Sequence, residues 1–262
     1  MTVEEVLAIY EKEIAPVKLS DDFCAKYKMY DNSGIIINCG KPVTDVLFSL
    51  DLSEKAVDVA IEDGCNLIIT HHPAIYGGVS RFDLTKSPQS RAIAKCLKND
   101  ISVISMHLNS DAAPYGIDYH LMKGFGGKDA RILCDIEGGG YGRLYKIRPV
   151  EPDALIRLVA DTFDTNRFEC FGVLKDKIET VASFCGAGCD DNTIAFAIDG
   201  GADLFVSSDM KHHQIAQLVE SGVAVMQLTH YSAEAYGFEQ IYYKIKDKIP
   251  AQSYFYRDNR LG

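Results

Sequence analysis

The sequence predicts an α/β protein built as two similar α/β lobes, and three observations carry that expectation. Short β-branched or apolar runs alternate with amphipathic helical stretches through most of the chain. AIEDGCNLIIT (60–70) superposes on AIDGGADLFVS (197–207), keeping Ala, Ile, Gly and Leu and exchanging Glu/Asp, Asn/Asp, Ile/Val and Thr/Ser conservatively. Further along each half, a strand-like apolar run ends at a histidine: ISVISM before His107, and AVMQL with Thr229 before His230. A helix–Gly–strand match arises easily by chance. The second match, at the next strand of each half, makes internal duplication the better explanation and places the lobes at 1–122 and 123–262.

Each element has its own signal. Thr2 followed by Glu5 forms a capping box, opening a helix with Val3, Val6, Leu7, Tyr10 and Ile14 on one side. GIIINCG (34–40) and DVLFSLDL (45–52) read as strands. Ser53 caps a helix that ends at Gly64, and NLIIT (66–70) follows as a buried strand. A loop through Pro73, Gly77 and Gly78 leads to a helix over 88–99 and the strand ISVISM (101–106). The stretch 119–150 is irregular and glycine-rich, with EGGG read as a turn and 142–174 as a small β-α-β start to the second lobe. TVASFCGAG (180–188) then runs as a strand into a Gly-rich turn. A helix over 192–200, the strand DLFVS (203–207), a helix near 212–221 and the strand AVMQL (224–228) complete the plan.

The 262 residues, 47% apolar and 24% charged, exclude collagen-like, disordered and disulfide-scaffold classes, and suffice for one or two domains. No apolar run approaches the ~18 residues of a membrane span. Four glutamates within MTVEEVLAIYEKEIAP read as an amphipathic helix rather than a secretory or transit peptide. A formal charge of −10 disfavours nucleic acid, whose phosphates need concentrated Lys and Arg. The eight cysteines include no CxxC, and most lie in apolar stretches, as free thiols do in a reducing cytoplasm. The pair Cys185 and Cys189, within CGAGC, stands apart.

Chemistry concentrates on the seven histidines. His71 and His72 leave a buried strand at its C-terminal end, where open α/β sheets form ligand sites. Neighbouring imidazoles on an extended chain point apart, but a turn at the strand exit lets each serve one of two nearby metals. His107-Leu-Asn-Ser-Asp111 and His230-Tyr-Ser-Ala-Glu234 repeat His-x-x-x-acid after equivalent strands. On a helical turn that spacing brings imidazole and carboxylate together, a donor set suited to Zn, Mn, Fe or Ni. A lone His-x-x-x-acid is ordinarily a surface ion pair. Two at equivalent positions, with a His-His pair at a third strand end, favour metal. His212 and His213 read either as groups orienting a ligand or as an exposed helix start, and His120 as structural. CGAGCDD reads as a strand-to-helix turn rather than a phosphate cradle, since Asp190 and Asp191 would repel an anion.

With these residues in place, the chain resembles the Nif-three-like family, whose members are labelled GTP cyclohydrolase I type 2 homologues or dinuclear-metal-centre proteins. The resemblance runs through YDNSGIIINCG (30–40), 49–78 with THHP, SMHLNSDAAPYGID (105–118), 185–213 and THYSAEAYGFEQIYYKI (229–245). It implies two lobes facing a shared cleft, no inserted domain, and a hexameric ring. It also implies two divalent ions on His71, His72, Asp111, His230 and Glu234, with Glu234 bridging and His107 as a further site histidine. Ser33 with IIINCG, and the cysteines bracketing the Gly turn, depart from the family pattern. The expected activity is a metal-dependent hydrolase of a nucleotide or phosphoester, with His107 and Glu234 catalytic. The alternative is a non-catalytic metal-binding or regulatory assembly protein.

Overall fold

The computed structural model describes all 262 residues. Helix α1 (Val3–Glu13) opens on the expected capping box: Thr2 Oγ1 accepts from the Glu5 amide while the Thr2 amide donates to Glu5. Helix α2 (Val17–Tyr27) follows Pro16 and ends at Lys28 with φ +56°. The chain continues through β1 (Gly34–Ile37), β2 (Val46–Ser49), α3 (Glu54–Glu62), β3 (Leu67–Thr70), α4 (Pro88–Lys98) and β4 (Ser102–Ser105). Ser53 and Ser87 cap α3 and α4, as their positions before amphipathic stretches require.

Next come α5 (Leu108–Ala112), α6 (Ile117–Gly124), β5 (Lys128–Ile136), β6 (Gly139–Val150), α7 (Pro152–Phe163) and β7 (Phe168–Phe171). The second half closes with β8 (Ile178–Ser183), α8 (Asp191–Asp199), β9 (Leu204–Ser207), α9 (His212–Glu220), β10 (Ala224–Leu228), α10 (His230–Ile245) and β11 (Ser253–Tyr256).

Two compact units result, Met1–Ser110 with Phe238–Arg257, and Asp111–Gly237 with Asp258–Gly262. The first holds a five-stranded sheet of order β1-β4-β3-β2-β11, and the second a six-stranded sheet of order β5-β6-β8-β9-β10-β7. In the first, β2, β3 and β4 are parallel and β1 is an antiparallel edge beside β4. In the second, β8, β9 and β10 are parallel and β7 is an antiparallel edge beside β10. The two sheets thus repeat one plan, with β3 matching β9 and β4 matching β10 as the superposed sequences imply. Each has its own apolar core, Leu47, Ile68 and Val103 among its members in one, Phe184, Phe205 and Val225 in the other. All three inner parallel strands of the first sheet are buried along their length, hence their continuous apolar runs.

Three features depart from the sequence-based expectation. The 119–150 stretch is helix α6 followed by an antiparallel hairpin of β5 and β6, not irregular chain. Its turn falls at Glu137–Gly138, where Gly138 has φ +84°, and the other two glycines of EGGG lie in β6. Strand β5 is largely exposed and carries little apolar alternation to betray it. Helix α2 buries only Leu19 and Phe23 of its apolar residues, too thin a stripe to announce itself. Strand β11, placed by the 123–262 boundary in the second half, pairs in parallel with β2 from Ser253↔Val46 to Tyr256↔Ser49.

Candidate metal centre

Strand register places the first donor set. Ser49 of β2 pairs with Thr70 of β3, and Thr70 with Ser105 of β4, so three parallel strands end side by side. The residues just beyond, Asp51, His71, His72 and His107, emerge at that carboxyl edge. The chain bends immediately after Thr70, whose Oγ1 donates to the His72 carbonyl at 2.8 Å, while the His72 amide donates to Leu50 at 3.0 Å. That bend removes the objection that neighbouring imidazoles point apart. The rings of His71 and His72 sit 4.8 Å apart between centroids, and His71 lies 5.1 Å from His107. Ligand atoms of all three lie within 4.8 Å of one another.

Each imidazole is held through Nδ1. His72 Nδ1 donates to Asp51 at 2.7 Å, His107 Nδ1 to Asp31 at 2.7 Å, and His71 Nδ1 to the Met106 carbonyl at 3.1 Å. These acceptors anchor each ring through Nδ1 and leave Nε2 as the nitrogen on the far side, the arrangement that metal-ligating histidines adopt. Burial raises the Asp31 carboxyl, but the His107 hydrogen bond and charge, with hydroxyls of Ser20 and Ser33, hold it well below the usual range. An ionised Asp31 is therefore a strong acceptor that fixes the His107 ring.

The second unit repeats the logic with a different donor set. His230 opens α10, its Nδ1 donates to Asp209 at 2.5 Å, and its Nε2 lies 3.1 Å from Glu234 one turn on. Oxygens of the buried Glu234 and Asp111 lie within 4.8 Å of one another. Two buried carboxylates this close repel when both are ionised, and a divalent cation is the counter-charge that relieves such a pair. Three imidazoles in the first unit, and separately two carboxylates and an imidazole in the second, are each of the N/O donor types that a borderline or hard divalent metal takes.

The turn after β8 underlies this set. Gly186 adopts φ +61°, and a Cβ there would stand 2.5 Å from Glu234 Oε1. Its carbonyl accepts from the Ser208 hydroxyl at 2.6 Å and the Ser207 hydroxyl at 3.2 Å. Cys185 is buried, its Sγ–H donating to Asp111 at 3.4 Å, its amide to Asp118 at 3.4 Å, and its carbonyl accepting from Tyr141 at 2.6 Å. Burial, then the nearby Asp111, Asp118 and Glu234 charges, push the Cys185 thiol well above its ordinary range. Burial also pushes Asp118 up to about 7, opposed by Arg143, whose Nε lies 2.9 Å away. The rest of CGAGCDD is the strand-to-helix turn expected, with Asp190 capping α8 through the Thr193 amide.

His212 and His213 are exposed in the first turn of α9, and His120 lies on α6 against Tyr119. The place in the second unit that matches His71-His72 belongs instead to Ser208-Asp209, two residues past the end of β9 as His72 is past β3. Asp51, Asp209 and Asp31 are site residues that sequence reasoning missed. Extending the 60–70/197–207 superposition by two residues sets Asp209 under His72 and would have found it. Asp31 had no such signal, since it lies before β1 and reaches His107 only through the pairing of β1 with β4.

Comparison with known proteins agrees with this architecture. A Clostridium perfringens protein named GTP cyclohydrolase 1 type 2 homolog is 27% identical over 261 residues, spanning 97% of this chain and 95% of its own. A Schizosaccharomyces pombe protein named NIF3 homolog is 27% identical over 223 residues, covering 78% and 77% of the two chains. The solved structure of the Staphylococcus aureus hypothetical protein SA1388 matches with a TM-score of 0.82 at 23% identity, over 99% of this chain and 97% of that one. The fold is therefore that of these proteins. The family model for Duf34/NIF3 (NGG1p interacting factor 3) matches residues 1–257, and the chain belongs to that family.

Proposed function

We propose that this chain is a dinuclear divalent-metal protein and a metal-dependent hydrolase of a nucleotide or phosphoester. Its ligands in this proposal are His71, His72, Asp111, His230 and Glu234, with His107 as ligand or proton carrier. The observation that carries it is the shared state of four histidines, each held at Nδ1 by Asp51, Asp31, Asp209 or a backbone carbonyl. Structural histidines satisfy whichever nitrogen is convenient. Four rings anchored through Nδ1 at the carboxyl ends of parallel strands are arranged for ligation.

Bound divalent ions supply Lewis-acid polarisation of a substrate oxygen and bring the pKa of water towards ~7. The protein's part is to hold and to move protons. Asp31 keeps His107 in one orientation, so that its Nε2 takes a proton and returns it without the ring turning. Glu234, buried and braced by His230, keeps its carboxylate oriented. The name of the Clostridium relative supports a purine nucleotide as the substrate class. The test is turnover of GTP and of generic phosphoesters by metal-loaded protein: loss with Glu234→Ala supports the hydrolase, and unchanged activity in that variant overturns it.

A second reading keeps the metal and drops turnover. A Saccharomyces cerevisiae relative, 24% identical over 238 residues, is named NGG1-interacting factor 3, which points to protein association. Metal retained through purification with no turnover across a broad substrate panel would select it. Either reading includes a cytoplasmic homohexamer, for which light scattering of purified protein is the check. Free thiols at all eight cysteines support the cytoplasmic part, and no helix is long and apolar enough to cross a membrane.

A further inference from the structure

We propose, resting on the metal-centre reading above, that Cys185 is a positioning residue whose thiol aims the Asp111 carboxylate, while the bare backbone of Gly186 seats Glu234. One turn after β8 would then set both carboxylates of the second unit's donor set.

The turn is built to be immobile. It is tied at the Cys185 amide by Asp118, at the Cys185 carbonyl by Tyr141, and at the Gly186 carbonyl by Ser207 and Ser208. Asp118 is itself locked by Arg143 and by the Gly142 amide at 3.0 Å. These ties come from β6, α6 and the end of β9, so the backbone at 185–186 is fixed from three elements before either carboxylate is considered. The two groups this backbone presents are aimed at the acids. Cys185 Sγ lies 3.4 Å from Asp111 Oδ1, and a Cβ on Gly186 would stand 2.5 Å from Glu234 Oε1, so a side chain there would push that carboxylate from its place. A thiol suits the first role, because an S–H is a weak donor that orients one carboxylate oxygen without competing strongly for its charge. The absence of a side chain suits the second.

The experiment compares Cys185→Ala, which removes the donor, with Cys185→Ser, which restores one. Zn²⁺ and Mn²⁺ affinities are measured by competition with a chromophoric chelator. Cys185→Ala should bind about tenfold more weakly, with Cys185→Ser within about twofold of wild type, the size of effect that outer groups exert on a metal. The metal-free protein gives an independent readout, the infrared S–H stretch assigned by difference against Cys185→Ser. It should sit at the low frequency of a bonded thiol and rise in Asp111→Ala. Wild-type affinity in Cys185→Ala, or an unbonded S–H frequency in the wild type, overturns the proposal. Failure of the wild type to take up either ion overturns the metal centre itself and the purpose assigned to the turn. The infrared band separates that result from a thiol that never held Asp111. A metal-free Cys185→Ala with an unchanged melting temperature shows that any affinity loss is local.

Discussion

Asp209 holds His230 by its Nδ1 at 2.5 Å, leaving Nε2 of the same ring 3.1 Å from Glu234. The aspartate occupies the position that His72 occupies in the first unit, two residues beyond the equivalent strand. The same backbone site thus presents an imidazole in one unit and, in the other, the carboxylate that orients an imidazole. The first prediction tests this. Asp209→Ala should weaken divalent-metal affinity about tenfold or more, because His230 loses the anchor at Nδ1 that sets its direction. Asp209→Asn should fall between the variant and wild type, since its amide oxygen still accepts from Nδ1. Isothermal titration with Zn²⁺ or Mn²⁺ reads the effect.

Metal removal should be visible as lost stability. A ligand present at a hundredfold over its Kd stabilises by about 2.7 kcal/mol, and each kcal/mol moves the melting point of a chain this size by about 2–4 °C. Chelation should therefore lower the transition by about 5–10 °C, and divalent metal should restore it. In His71→Ala and Glu234→Ala the transition should not respond to chelator. Differential scanning calorimetry with and without chelator gives the answer, and an equal response in those variants would remove them from the ligand set.

Gly186→Ala should damage the site through its backbone rather than its chemistry. A methyl group there meets Glu234 Oε1 at 2.5 Å, and the residue has φ +61°. Both costs act together, so a loss of about 1–3 kcal/mol in denaturant unfolding is expected, with a drop in bound metal by elemental analysis. Gly64→Ala has open space around it at φ +73° and is the control for the φ effect alone, with metal content unchanged.

The carboxylate of Asp203 provides a pH prediction remote from the histidines. Burial raises its pKa, but Lys175 and the amides of Thr180 and Glu179 outweigh that and lower it below its ordinary value. Those bonds run at 2.5 Å, 2.9 Å and 3.0 Å. A depressed folded-state pKa means that the unfolded chain binds the proton more readily. The stabilisation is therefore complete above the unfolded pKa near 4 and is lost as pH falls through the folded value. Asp203→Ala should cost about 2 kcal/mol at pH 7, typical of hydrogen bonds to a charged group, and progressively less towards pH 3. A cost independent of pH, followed by urea unfolding across that range, would contradict it.

Helical caps, the buried parallel strands and the His230–Glu234 pair were legible in the sequence, because each depends on spacing along one stretch of chain, whereas His107 meets Asp31 rather than Asp111. Thr2 with Glu5, the four-residue run of β3, and His230 with Glu234 are local facts. Duplication was legible too, since two halves under the same packing constraints kept the same apolar pattern at 60–70 and 197–207. Tertiary structure alone decided what holds the donors. Asp31 and His107 stand 76 positions apart, as Cys185 and Asp111 stand 74 apart, and nothing in the periodicity of either segment points to the other. It also decided that β11 joins β2, and that the 119–150 stretch is a helix and a hairpin. The physical reason is the same throughout. Helix and strand patterns record which face of a segment is buried, whereas strand register and turn geometry determine which distant side chains meet there.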